Sequence, residues 1–407
     1  MKTFATLAWR NIWRNKRRSF INIASVLFAV LLAIVADSFE RGSYELMIDN
    51  MVKFSTGYIQ VQDVLYDEEP SIDNAMLYDE ALQEKLARFD SDIDYTVPRI
   101  QNFALAATEN RTRGTFIMGI DPESEERFNK LSENLKAGEY LTDDDQSVML
   151  AAGLSDILGL GIGDTLILIG QGFQGVSAAG MFPVKGIVKL AVPEMNNNTV
   201  YMPLATAQWF YGADDRITSL IVMPVKPSRT SRITDALNQH LDREWYIARD
   251  WKHMLRDLLK MMQMDMAGSR MIIYILYVVI GFGLFGTVLT MMLERLKEFA
   301  MLISIGMKRY QLAIVCFFET LFMSFVGVII GTILTWPILL YYNMNPIPLK
   351  GEMADMILEY GFEAVVPASV TPDIFINQII TVFLLCLLIG LFPVYKVFRL
   401  KVVEVVK

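Results

Sequence analysis

The chain has 407 residues, 53% of them hydrophobic, with a mean hydropathy of +0.34 and a formal net charge of −8. That balance is too apolar for an ordinary soluble domain and argues against a nucleic-acid partner. The two cysteines, Cys316 and Cys386, both fall inside apolar runs, which argues against a disulfide framework or a cysteine metal site. HExxH, GxSxG and GxxxxGK[ST] are absent, so no catalytic constellation is expected and any ATP hydrolysis must come from another chain.

Taken in order, residues 1–18 mix Phe4, Leu7, Trp9, Ile12 and Trp13 with Arg10, Arg14, Lys16, Arg17 and Arg18. This reads as a basic amphipathic helix lying in a membrane interface. Residues 19–36 form a first span, uncharged from Phe20 to Ala36. A cleaved signal peptide shares the basic start, but this apolar core is longer than usual and Ile34–Ala36 is no A-x-A site. Residues 37–270 hold no span and are long enough for one or two globular domains.

In that insert, Asp37–Met51 reads as a stalk extending the first span. Strands are expected at Tyr58–Val64, Phe103–Thr108, Thr115–Ile120, Thr165–Ile169, Pro183–Val188, Thr199–Met202 and Ser219–Met223. Helices are expected at Tyr78–Phe89, Ser124–Leu131, Leu204–Tyr211, Thr230–Leu241 and Asp250–Gly268. Gly170–Phe182, with four glycines and no charge, reads as a mobile loop between two strands. Its apolar residues Phe173, Val176, Met181 and Phe182 are candidate anchors for a soluble partner.

The second span is residues 271–293, the third 310–342 and the fourth 374–395, with an outer loop at 343–373 and a basic tail at 396–407. Residues 1–18, 294–309 and 396–407 together carry 14 Lys/Arg against 3 Asp/Glu. Lys and Arg gather on the cytoplasmic side, so both termini are expected inside and the acidic insert outside. The fold class is an α-helical membrane protein with four transmembrane helices and a large α+β extracytoplasmic domain.

Three local features stand out. The carboxylate of Glu319 lies about nine residues into the third span, roughly 14 Å deep, and should face the bundle interior. Gly281, Gly283 and Gly286 match GxGxxG but inside a span; with Gly327 and Gly331 they are expected to let helices approach closely. Met261, Met262 and Met264 sit just outside the second span and are candidate contacts for an acyl chain in a substrate cavity. His240 and His253 show no metal-ligand spacing.

Glu294–Tyr310 links the second and third spans, with apolar positions at helical spacing and Gly306 as a stop. Its Lys297-Glu298 pair, the apolar Phe299–Ile305, Gly306 and the Lys308-Arg309 pair resemble the cytoplasmic coupling loop of the permease family that includes MacB, LolC/LolE and FtsX. The opening LAWRNIWRNKRRSFINIASV, the segment CFFETLFMSFVGVIIGTIL and the ending FPVYKVFRLKVVEVVK resemble the same family. The resemblance implies that Glu294, Lys297, Glu298, Phe299, Leu302, Gly306, Lys308 and Arg309 couple to a separate ABC ATPase dimer, which would hold the ATP and Mg²⁺. It further implies a second permease, an inner-membrane location and an ectodomain with a lobe inserted at roughly 121–216. Among its members the layout is closest to LolC/LolE, which extract lipoproteins by mechanotransmission and hand them to a periplasmic carrier. Efflux of another amphiphile, or signalling to a cell-wall hydrolase, are the alternatives.

Overall fold

The computed structural model describes residues 2–14, 16–190, 193–352, 354 and 364–399. The chain divides into a helical unit (Met1–Leu46, Lys260–Pro348 and Val365–Lys407) and an α/β unit (Met47–Leu259 and Leu349–Ala364). In chain order the helices are α1 Lys2–Arg14, α2 Lys16–Met51, α3 Glu80–Ala87, α4 Pro122–Asn129, α5 Ala152–Leu158, α6 Pro193–Asn196, α7 Leu204–Tyr211, α8 Thr230–His240, α9 Trp251–Met254, α10 Arg256–Glu294, α11 Leu296–Ser304, α12 Arg309–Met344 and α13 Pro372–Phe398.

Four helical stretches, Ser19–Thr56, Arg256–Glu294, Arg309–Met344 and Pro372–Phe398, are long and apolar enough to cross a membrane. Each runs past its apolar core because nothing in the flanking sequence breaks the helix. Pro337 and Pro393 lie inside α12 and α13, as membrane helices tolerate. The helical unit's core gathers Val26, Val30 and Ile34 of α2, Tyr277 and Leu284 of α10, Val328 of α12 and Val382 of α13.

Glycines decide how closely two of these helices approach. A Cβ on Gly327 would stand 2.7 Å from the Cβ of Val26, and one on Gly331 3.0 Å from the carbonyl oxygen of Leu27. Glycine at both places lets α12 press against α2. Gly283 and Gly286 differ from expectation, since a Cβ there meets nothing within 4 Å. They pack against no helix among the described residues. Past the middle of α2, Gln378 donates to Asp37 at 3.2 Å, Tyr277 donates to Gln378, and Ser38 donates to the Ser369 carbonyl at 2.5 Å.

The α/β unit is built on one mixed sheet. Its strands are β1 Ile59–Asp63, β2 Met76–Leu77, β3 Ile93–Ala107, β4 Thr112–Ile120, β5 Leu135–Gly138, β6 Val148–Ala151, β7 Thr165–Gln171, β8 Ser177–Val188, β9 Thr199–Pro203, β10 Arg216–Ile217, β11 Ser219–Pro224 and β12 Tyr246–Asp250. The order is β12-β1-β11-β3-β4-β9-β6-β8-β5, with β7 bridging β3 and β8; β2 and β10 pair separately. Only β4–β9 and β6–β8 run parallel in that sheet.

Strand β3 is 15 residues long and starts ten residues before the expected Phe103. Pro98 in its middle hid it: its register partner is Leu220 of β11, and the antiparallel ladder runs through the proline. Arg99, next to it, is almost fully buried. Its guanidinium donates to both oxygens of Glu125, at 2.8 and 2.5 Å, and to the carbonyl of Ser55 at 2.8 Å. Asn129 donates to Glu125 at 2.6 Å, and the Phe128 ring lies 4.9 Å from the Arg99 guanidinium carbon.

Gly170–Phe182 is not a long loop. β7 and β8 run through most of it, in register from Thr165–Pro183 to Gln171–Ser177. Only Gly172–Val176 connects them, closed by a 2.6 Å bond from Gly172 to the Val176 carbonyl. The small residues alternate as a strand requires: Ala178 and Phe182 are buried while Ser177, Ala179 and Met181 are exposed. Phe173 packs on the core beneath, with the Arg216 guanidinium 4.4 Å from its ring. Phe173 and Phe182 are therefore core residues, and only Val176 and Met181 face out.

Candidate functional site

The site forms at the end of the helical unit that carries α1 and α11. Arg295 interrupts the helix between α10 and α11 with φ −97° and ψ 2°. Inside the nine-residue α11, Leu296, Phe299, Ala300 and Ile303 recur at helical spacing and pack onto Met292, Leu312, Cys316 and Val397. Burying Phe299 alone contributes about 2 kcal/mol. A helix this short is marginal in isolation, so that inward face holds it. Gly306 then turns the chain at φ +108°, where an L side chain is strained although space is open. Arg309 donates to the carbonyl of Phe398 at 2.8 Å, tying the start of α12 to the end of α13.

The split of the apolar face corrects the sequence reading. Phe299 points inward and cannot meet another protein. Leu302 faces out together with Met301 and Ile305, which are 61% and 79% exposed. Lys297 and Glu298 flank this outer apolar face, and Lys308 lies just past it.

Beneath α11 runs a chain of polar contacts. Glu319, 2% exposed, accepts from Arg295 Nη1 at 2.6 Å and from Asn11 Nδ2 at 2.6 Å. Arg295 also lies 3.4 Å from Glu298, which accepts from Arg14 at 2.9 Å. The Arg295 guanidinium sits 5.1 Å from the Phe299 ring centre. The Glu319 carboxylate is thus held from both sides, as a buried charge requires. α1 is further secured by Trp9 edge-on to Phe322 of α12, centroids 5.9 Å apart.

This arrangement joins three elements through one carboxylate. Arg295, at the start of α11, contacts α12 through Glu319, and Glu298 of α11 contacts α1 through Arg14. Sequence reasoning placed Glu319 inside the bundle but missed Arg295 and Asn11 as its partners. The signal was present: a carboxylate inside a span needs a cation, and Arg295 ends the neighbouring helix. Glu294 lines a cleft between α2 and α10. The methionines do not form one surface either. On α10, Met261 and Met264 are exposed while Met262 is buried.

The FtsX-like permease C-terminal model matches residues 270–402, which include α11 and Glu319. The MacB-like periplasmic core domain model matches residues 19–240. A lipoprotein-releasing system transmembrane protein LolC from Neisseria meningitidis serogroup B is 24% identical over 251 residues. That alignment covers 59% of this chain and 60% of the relative, less than two thirds of its length. Among solved structures, the periplasmic region of MacB from Actinobacillus actinomycetemcomitans is 17% identical, covering 52% of this chain and 97% of that one, with a TM-score of 0.37. The extracellular domain of the noncanonic ABC-type transporter YknZ from Gram-positive bacteria is 15% identical, covering 48% and 100%, with a TM-score of 0.35. The chain belongs to the family of ABC transporter permeases with a MacB-like periplasmic core and an FtsX-like C-terminal region.

Proposed function

We propose that this chain is the permease subunit of an ABC system that extracts lipoproteins from the inner membrane, driven by ATP hydrolysis on a separate subunit. The observation that carries the coupling is the two-sided α11: one face packed into the bundle, the other, with Met301, Leu302 and Ile305, exposed. The outer face is the docking surface for the ATPase, which holds the ATP and Mg²⁺. The inner face and the Arg295–Glu319 contact carry its motion to the spans. In this reading both termini and α11 are cytoplasmic, as the concentration of Lys and Arg supports, and a second permease completes the assembly.

Lipoprotein as cargo rests on the likeness to LolC. Met261 and Met264 would meet an acyl chain, and Val176 and Met181 a soluble carrier. The match to the MacB-like core over residues 19–240 favours a second reading, export of another amphiphile.

The test is a proteoliposome assay with the co-purified ATPase subunit and a fluorescent lipoprotein. Wild type should release it to the soluble fraction on ATP addition. Met301→Asp with Ile305→Asp should lose ATPase co-purification and release together, while membrane insertion persists. Retained co-purification would overturn the docking role. ATP-driven movement of another amphiphile, without lipoprotein release, would move the conclusion to the second reading. A chain that activates a hydrolase and moves nothing would end both.

A further inference from the structure

Connecting segments usually run over a surface. The one ahead of α13 is instead buried against a helix. Ala368 and Ser369 are 0% and 1% exposed, and Ser38 of α2, bonded to Ser369, is 0% exposed. Gly42 makes this approach possible. A Cβ there would stand 2.2 Å from the carbonyl oxygen of Pro367 and 2.9 Å from the amide nitrogen of Ser369. No side chain fits that gap, so the segment lies backbone to backbone on α2.

Ser38 and Ser369 bond reciprocally. The Ser369 N–H donates to the Ser38 carbonyl at 2.9 Å, and the Ser38 hydroxyl donates to the Ser369 carbonyl at 2.5 Å. The Ser369 hydroxyl donates to Glu45, further along α2, at 3.0 Å. From α12, Asn343 donates to the Ala368 carbonyl at 2.8 Å, and the Tyr342 ring lies 5.7 Å from that of Phe39 of α2. Where the segment becomes α13, Asp373 accepts from Arg41 of α2, which also donates to Asp37 at 3.1 Å. Three helices thus meet on residues 367–373. The bonds at Ser38 and Ser369 are closed to water, which strengthens them and leaves no competing partner.

We infer that residues 367–373 are a clasp that makes α2, α12 and α13 move as one body, with Gly42 and Ser369 as its positioning residues. This rests on the reading of the chain as an ATP-driven permease. Glu319 takes up the motion of α11 on α12, and the clasp passes it to α2, which runs as one helix to Met51. Gly327 and Gly331 already bring α12 to α2 within the bundle, and the clasp extends that contact past the uncharged core of the first span.

The test uses the full chain with its ATPase subunit in the proteoliposome assay. Alanine favours a helix over glycine, so any loss in Gly42→Ala comes from the collision with Pro367. That variant should bind the ATPase, hydrolyse ATP and release about tenfold less lipoprotein per ATP, the size of an ordinary coupling between sites. Ser38→Ala with Ser369→Ala, which leaves the backbone bond in place, should lose less. Should Gly42→Ala fail to insert or to bind the ATPase, the double serine variant decides. Spin labels at Ala36→Cys of α2 and Ile376→Cys of α13, both exposed positions, read the clasp directly. In the parent chain their separation should be the same without nucleotide and with ATP trapped. In Gly42→Ala it should differ between the two states. A parent separation that changes with nucleotide would overturn the clasp, as would Gly42→Ala release at the wild-type ratio. If wild type moves no lipoprotein, the cargo reading falls and the label separation alone decides the clasp.

Discussion

Two buried Arg–Glu pairs, one in each unit, are built in opposite ways. In the α/β unit Arg99 grips Glu125 with a two-point fork and spends a further N–H on the Ser55 carbonyl, while Asn129 takes up the carboxylate. In the helical unit Arg295 touches Glu319 through one nitrogen and reaches Glu298 with another, and Glu298 is half exposed. The first pair is closed on itself and fixes geometry. The second is a chain of single contacts that runs from the bundle interior to the surface, with a second carboxylate within reach of the same guanidinium. A closed fork suits an anchor. An open chain suits a part that moves and exchanges partners.

The largest expected effect lies at the fork. Arg99→Met alone should destabilise the α/β unit by about 3–5 kcal/mol, because Glu125 is left charged and buried. Arg99→Met with Glu125→Leu should recover much of that loss, as measured by thermal or urea unfolding of the full chain. Equal stability of Arg99→Met and wild type would show that the fork is no anchor.

On the open side, Gly306→Ala tests the turn that releases α11. At φ +108° an alanine should cost about 1–2 kcal/mol. Because nothing lies within 4 Å of the added methyl, the cost is in the backbone alone. The expected result is normal insertion with weaker ATPase co-purification. Full co-purification would show that the turn's geometry does not set the docking face.

The smallest effect belongs to a third arrangement, where Asp67 accepts from Arg249, from Arg256 at 2.9 Å and from His253 at 3.2 Å. Burial raises the Asp67 pKa, but the His253 hydrogen bond and the two guanidiniums outweigh it, leaving the group below the ordinary carboxylate value. Its contribution to stability is therefore present above about pH 4 and lost as pH falls through the lowered folded value. With the group partly exposed, it amounts to about 1 kcal/mol or less. Asp67→Asn should lower the urea midpoint at pH 7, and the gap to wild type should close in acid. A gap independent of pH would show that the charge is not what matters.

Much of the helical unit was legible because a bilayer demands long uncharged helices, and the segments 271–293, 310–342 and 374–395 announce them by composition. The exposed location of Glu298 and the interior location of Glu319 also follow from charge. What the sequence hid were contacts between distant segments. Asn11 and Glu319 are 308 residues apart, and nothing local distinguishes Asn11 from other polar residues of α1. Within α11, four apolar residues at i, i+3 and i+4 spacing mark an amphipathic helix but not which of two neighbours each will meet. Phe299 went to the bundle and Ile305 outward because α12 packs on one side only. In the α/β unit, small residues at 177–180 carry the composition of a loop and the alternation of a strand. The ladder with β7 decided for the strand. Strand β5, Leu135–Gly138, was missed because its residues are largely exposed and lack the alternation that marks an edge with one buried face.

The central claim is that Arg295 and Glu319 join the docking helix to the spans. The direct measurement is ATP-driven release per ATP hydrolysed in the reconstituted complex, across Arg295→Glu, Glu319→Arg and the exchanged pair. Each single variant should bind the ATPase, hydrolyse ATP and release about tenfold less per ATP, whereas the exchanged pair should recover most of the wild-type ratio. Single variants that release as much per ATP as wild type would contradict the claim.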